Sequence, residues 1–169
     1  WTGPTSNVLN LSSLMMRGTV VNLQLVARHG ERPRAVVEVR ALVDHGLEGD
    51  IHGKTKPGSR RQVLLADRGT LEGLGLRPGD LRDQITVDLA VLERLPAGTR
   101  LQVGEATLEL SGPCEPCTHI GALNGVSDPV AFQETLRGRR GQLARVVAVE
   151  GAGAIRVGDP VVVRDPVPR

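Results

Sequence analysis

The 169-residue sequence predicts a mainly β fold, a single strand-rich barrel with a few short helices. Two observations carry this. Short β-type segments recur at close intervals, punctuated by Gly, Pro and Asp. A parallel α/β sheet would need strands alternating regularly with helices, and neither such alternation nor an internal repeat is present.

In chain order, "GTVVNLQLVA" reads as the first strand. "RAVVEVRALV" follows, with Val37, Val39, Ala41 and Val43 on one face and Glu38 and Arg40 on the other. "DHGLEGDIHGKTKPGSR" is a long Gly-rich polar loop, of a length that tends to be functional or disordered. "RQVLLA" is a buried strand, and "DRGTLEGLGL" a short helix capped by Asp67. "DQITVDL" alternates Ile85, Val87 and Leu89 inward with Thr86 and Asp88 outward. "GTRLQVGEATLEL" is two strands meeting in a hairpin turn at Gly104-Glu105. "DPVAFQETLRG" carries helix boundary signals: Asp128 as N-cap, Pro129 at the first helical position and Gly138 at the exit. "GQLARVVAVEG" and "AIRVGDPVVVR" are expected to close the chain as a strand pair.

The length suits one domain with a real core, here spanning residues 17–164, with a 165–169 tail. The start lacks a Met and any signal-peptide pattern, so residues 1–16 are read as a disordered extension. One Trp, one Phe and no Tyr leave no aromatic platform for stacking bases, and a net charge of +2 is too small to imply nucleic acid. No apolar run reaches the length of a membrane span. Two cysteines are too few for a disulfide scaffold, which places the chain in a reducing, cytoplasmic compartment.

Three constellations could carry chemistry. His45, Asp50 and His52 lie in the Gly-rich loop and have the chemistry of divalent-metal ligands. Their loose spacing favours local structure instead, with glycines shaping turns and Asp50 bonding backbone. Arg60, Arg61, Arg68 and Arg82 fall near strand ends and suit an anionic small molecule, although a solvated basic rim explains them as simply. Arg61 stands out because it opens an otherwise apolar strand. The third is "SGPCEPCTHI", with both cysteines of the chain. Cys114, Cys117 and His119 are too few and too close for a structural zinc site. A thioredoxin-like pair wants a helix after a βαβ strand, where this sequence has a hairpin arm. A single reactive thiol fits better; two ordinary half-buried cysteines remain the bland alternative.

"GLEGDIHG", "RQVLL", "LRDQITV", "LPAGTRLQVGEATLELSGPCEPC" and "IRVGDPVVV" occur in the order found in the MOSC domain, which these segments resemble over roughly 17–164. That is the C-terminal domain of molybdenum cofactor sulfurases, found also as stand-alone bacterial proteins. The resemblance implies a β-rich barrel that binds the pterin-based molybdenum cofactor, with a cysteine as sulfur carrier or molybdenum ligand. Gly49, Asp50 and His52 match the family's Gly-Asp-x-His motif, Arg61 its strand-opening Arg, and Arg82 the Arg of its "R-E-N-I-T"-like segment, here Arg-Asp-Gln. Cys117 matches the more characteristic cysteine of the P-C-x-x-C segment, and the resemblance implies that it is both the catalytic thiol and the metal ligand. The implied activity is reduction of N-hydroxylated small molecules with electrons from a separate donor protein. The alternative is a sulfur carrier that is loaded by a sulfur-donor protein as a persulfide and has no turnover of its own.

Overall fold

The computed structural model describes residues 16–54 and 57–164. Residues 1–15 of the expected extension and the 165–169 tail lie outside the described residues.

Seven strands close a barrel. In spatial order these are β1 (Arg17–Leu25), β11 (Pro160–Arg164), β7 (Arg100–Val103), β8 (Ala106–Pro113), β9 (Gln142–Val149), β5 (Val63–Asp67) and β6 (Ile85–Asp88), and β6 returns to β1. Every pairing is antiparallel except β5 with β6, which is parallel and joined through a short helix α1 (Arg68–Gly73). β2 (Arg34–Val36) pairs with the end of β1. β3 (Glu38–Leu42), β4 (Gly46–Leu47) and β10 (Ala154–Arg156) form a small separate sheet. Two further short helices, α2 (Thr118–Leu123) and α3 (Pro129–Thr135), lie between β8 and β9.

The period-2 patterns explain the closure. Leu101 and Val103 of β7, Leu108 and Leu110 of β8, and Ala144 and Val146 of β9 all point into one core with Val20, Leu65, Ile85 and Val161. β5 is buried on both faces. Val63 and Leu65 face the barrel interior, while Ala66 joins Leu71, Leu81, Ile120 and Leu136 in a second cluster beneath the helices. That double burial is why "RQVLLA" reads as a continuous apolar run. Asp67 caps α1 through a hydrogen bond from Thr70 N–H (3.0 Å), and Asp128 caps α3 through one from Ala131 N–H (3.0 Å).

Three details differ from the sequence expectation. The segment "RAVVEVRALV" is two strands, because the chain leaves the barrel sheet after Val36 and enters the small sheet at Glu38. Val37 sits at this switch, 79% exposed, while Val39 and Ala41 are buried as their spacing requires. Thr86 is buried within the polar network of Gln24 and Asp83, although alternation places it outward. The last two strand segments do not pair with each other: β9 lies between β8 and β5, β10 pairs β3, and β11 closes the barrel between β7 and β1. No helix among the described residues is long and apolar enough to cross a membrane.

Candidate functional site

The Gly-rich loop delivers the first part of the site. Gly49 has φ +84°, a left-handed backbone that glycine adopts without strain, and it turns the chain so that Asp50 points inward. Asp50 is 1% exposed. Its Oδ1 accepts the Val26 N–H at 2.8 Å, and its Oδ2 accepts the His52 N–H at 2.9 Å. The same Oδ2 lies 3.0 Å from His52 Nδ1, and the Gln84 amide donates to it at 3.3 Å. Burial alone would push the Asp50 carboxyl up, but the hydrogen bonds from the His52 ring and the two backbone N–H groups outweigh it and hold the group below its ordinary value. A charged Asp50 therefore fixes the imidazole of His52.

His52, Arg61, Arg82, Gln84, Cys114 and Arg140 line one cavity of about 100 Å3 with Val63, Leu64 and Leu143. Five separate stretches of chain supply these residues. Gln84 is held by its Oε1, which accepts the Leu64 N–H at 2.7 Å. Arg82 takes the left-handed region at φ +63°, unusual for a side chain with a Cβ, and its Nη1 donates to the Glu31 carbonyl at 2.9 Å. Strained backbone of this kind concentrates at functional sites. Arg82 also lines a second, larger cavity of about 440 Å3, whose walls include Arg32, Pro33, Arg77, Pro78, Leu123 and Asn124. One guanidinium thus borders both spaces.

The two thiols differ sharply. Cys114 is buried and lines the small cavity, its N–H bonded to the Gly141 carbonyl at 3.0 Å. Burial pushes its thiol up, against the opposing pull of the Arg140 and Arg61 charges. Cys117 is exposed at the N-cap of α2 and does not line the cavity.

Of the residues singled out from the sequence, His52, Arg61 and Arg82 therefore converge, Asp50 stands directly behind His52, and Gly49 shapes the turn. His45 is exposed in the turn before β4. Arg60 donates to the Ser111 carbonyl at 2.7 Å, and Arg68 pairs with Asp88 at 2.7 Å, away from the cavity. Among the described residues, no three His, Cys, Asp or Glu side chains gather as metal ligands.

Sequence reasoning missed Arg140, Cys114's place in the wall and Gln84. Arg140 is the second arginine of "GRRGQ", and the only local signal for it was a charge directly before a Gly that opens a buried strand. Gly141 has φ +93°, and a Cβ there would stand 2.3 Å from the Leu65 carbonyl oxygen, so only glycine lets the chain turn past β5 and leave Arg140 against the cavity. Chemically the site offers guanidinium groups for an anion, an imidazole held from one side, and a thiol for a soft ligand.

The sequence model of the MOSC domain matches residues 53–162, a span that includes Arg61, Arg82, both cysteines and Arg140. The fold is similar to that of the YuaD protein from Bacillus subtilis, with a TM-score of 0.74 at 20% identity over 88% of this chain and 96% of that one. It is similar also to YiiM from Escherichia coli, with a TM-score of 0.67 at 21% identity over 90% of this chain and 71% of that one. YiiM from Geobacillus stearothermophilus gives a TM-score of 0.64 at 18% identity over 88% and 75% of the two chains. No curated protein sequence matches the chain.

Proposed function

The chain belongs to the MOSC domain family, and on that premise we propose that its arginine-lined cavity binds the molybdenum cofactor. The observation that carries this reading is the convergence of His52, Arg61, Arg82, Cys114 and Arg140 on one cavity. The residues fit such a group. Arg140 is 7% exposed with guanidinium nitrogens that lack a partner among the described residues, a state that a buried anion would relieve. Arg61 and Arg82 would hold the anionic parts, and the larger cavity beyond Arg82 has room for a ring system. A thiolate is a suitable soft ligand.

When bound, the cofactor supplies a two-electron redox centre. The proposed reaction is reduction of an N-hydroxylated small molecule: two electrons and two protons convert N–OH to N–H and water. The electrons come from a separate donor protein. His52 would hold a proton at the edge of the cavity, since its Nδ1 is tied to Asp50. The family resemblance of the P-C-x-x-C segment points to Cys117 as the ligand thiol, and the place of buried Cys114 in the cavity wall favours Cys114. The assay is metal analysis of protein made in a molybdenum-replete host. Stoichiometric molybdenum lost in Cys117→Ser assigns the ligand to Cys117, and lost in Cys114→Ser to Cys114. Substoichiometric molybdenum unchanged by either substitution sinks the reading.

A second reading is favoured by the exposure of Cys117: a carrier that receives a sulfane sulfur from a donor protein and hands it on. A persulfide on Cys117, seen as one added sulfur atom in the intact mass of molybdenum-free protein, would favour it.

A further inference from the structure

Around the barrel, arginines are answered by carboxylates: Arg68 by Asp88, Arg100 and Arg145 by Glu109, Arg137 by Glu134, and Arg156 by Glu38. One face departs from this. Arg28, Arg32 and Arg34 lie where the chain passes from β1 into β2, and Arg77 lies on the loop after α1. All four are exposed, and none has an ion-pair partner among the described residues. The two loops meet: Arg32 and Arg77 line the larger cavity together, and a Cβ on Gly79 would stand 3.4 Å from Pro33 Cβ. The bond from Arg82 to the Glu31 carbonyl ties them. In segments 28–34 and 77–82 five arginines stand against two carboxylates, Glu31 and Asp80, an excess larger than the +2 of the whole chain.

Unpaired like charges on one face repel one another, and the field they create draws an oppositely charged partner. A small anion in the cavities does not account for them, because Arg28 and Arg34 line neither cavity. Nucleic acid fits poorly, since Glu31 and Asp80 would face its phosphates and the two segments carry no Phe, Tyr or Trp for stacking. A membrane surface calls for an amphipathic helix, where this face has loops and a three-residue strand. We propose that the face of Arg28, Arg32, Arg34 and Arg77 docks an acidic electron-carrier protein over the mouth of the larger cavity. The kind of partner rests on the redox reading of the function; the surface rests on its own charge and exposure. Contacts of redox proteins are small and transient, so charge complementarity carries them more than area does.

The test is calorimetric titration with an acidic flavodoxin as probe, at about 50 mM and again at about 300 mM salt. One-to-one binding is expected at the lower salt, with affinity falling at least about tenfold at the higher. Arg28→Glu/Arg34→Glu is expected to weaken it at least about tenfold. Arg100→Glu/Arg164→Glu makes the same charge change where β11 pairs the first residues of β1, the end away from β2, and should leave the affinity unchanged. Should the first variant fail to fold, Arg28→Gln/Arg34→Gln is expected to bind severalfold more weakly. Absence of binding to wild type, or unchanged affinity in the folded Arg28/Arg34 variant, overturns the proposal. Tighter binding of duplex DNA or phosphatidylserine vesicles through the same arginines also overturns it, in favour of a nucleic acid or a membrane. The two proposals fail separately. Flavodoxin binding through Arg28 and Arg34 in a chain that never acquires molybdenum removes the cofactor reading alone, and molybdenum loading without flavodoxin binding removes the docking face alone.

Discussion

Asp50 Oδ2 lies 3.0 Å from His52 Nδ1 and accepts the His52 backbone N–H at 2.9 Å, so one buried carboxylate oxygen holds both the main chain and the ring of a cavity residue. The other oxygen accepts the Val26 N–H. Because both oxygens face N–H donors, Asp50→Asn must set its amide NH2 against one of them. The expected loss is about 2–3 kcal/mol, as for hydrogen bonds to a charged group, measured by urea unfolding. The Asp50 carboxyl is held below its ordinary value in the fold, so its contribution is fully present above the unfolded value near 3.8 and is lost progressively as pH falls from there through the lower folded value. The wild-type advantage over Asp50→Asn should therefore shrink in acid; an advantage at pH 2 undiminished from that at pH 7 would contradict the ionised pairing.

The two cysteines should react at very different rates. Cys117 is exposed, whereas Cys114 is buried with its thiol pushed up by desolvation. Titration of the native protein with a disulfide reagent at pH 8 should release one equivalent quickly and the second at least about tenfold more slowly, since rate follows thiolate fraction and access. Cys117→Ser should remove the fast phase and leave the slow one. A fast phase that survives it would mean that Cys114 is open to solvent.

The barrel was legible in the sequence because its signals are local. Alternation in "TRLQVGEATLELS" and the Asp67 and Asp128 caps each depend on a few neighbouring residues. His52, Arg61 and Arg82 were also legible, through the order of motifs around them. Arg140 was not, since its meaning comes from contact with segments far away in the chain, and an arginine in "GRRG" looks like any solvated charge. Thr86 was placed on the wrong side for a related reason: alternation assumes that polar means solvent, and a buried network with Gln24 and Asp83 breaks that rule. The choice between Cys114 and Cys117 needed three-dimensional exposure, which a four-residue motif does not encode.

Glu93 gives the fold a second pH dependence with the opposite sign. Burial, reinforced by the nearby Asp67 charge, pushes its carboxyl up to about 7, although the Gly141 N–H donates to it at 3.0 Å. A carboxyl raised in the fold favours the native state below its unfolded value, near 4.5, and that contribution is lost as pH rises through about 7. Glu93→Gln keeps an acceptor for Gly141 and removes the buried charge. It should be close to neutral at pH 5 and more stable than wild type at pH 8, by about 1–3 kcal/mol: the gap between 4.5 and about 7 is worth roughly 3.4 kcal/mol at 1.36 kcal/mol per pKa unit, and partial solvent screening discounts it. Equal Tm values for the two proteins at pH 8 would place Glu93 in a more solvated setting.

Gly141 joins the fold to the site, and its substitution should expose that link. A Cβ at φ +93° would be strained in itself and would meet the Leu65 carbonyl oxygen at 2.3 Å, which is backbone of a strand buried on both faces and has little freedom to give way. Its N–H is held by Glu93 and its carbonyl by the Cys114 N–H, so the turn cannot move without loosening both. Gly141→Ala is therefore expected to cost about 2–4 kcal/mol, the sum of roughly 1–3 kcal/mol of backbone strain and a close contact. If the variant remains folded, the slow Cys114 thiol should react faster, because the carbonyl that accepts the Cys114 N–H and pins its backbone belongs to the displaced residue. Destabilisation without any change at Cys114 would show that the strand absorbs the shift before it reaches the cavity. Wild-type stability in Gly141→Ala would show that β5 and β9 can part at Leu65 at little cost.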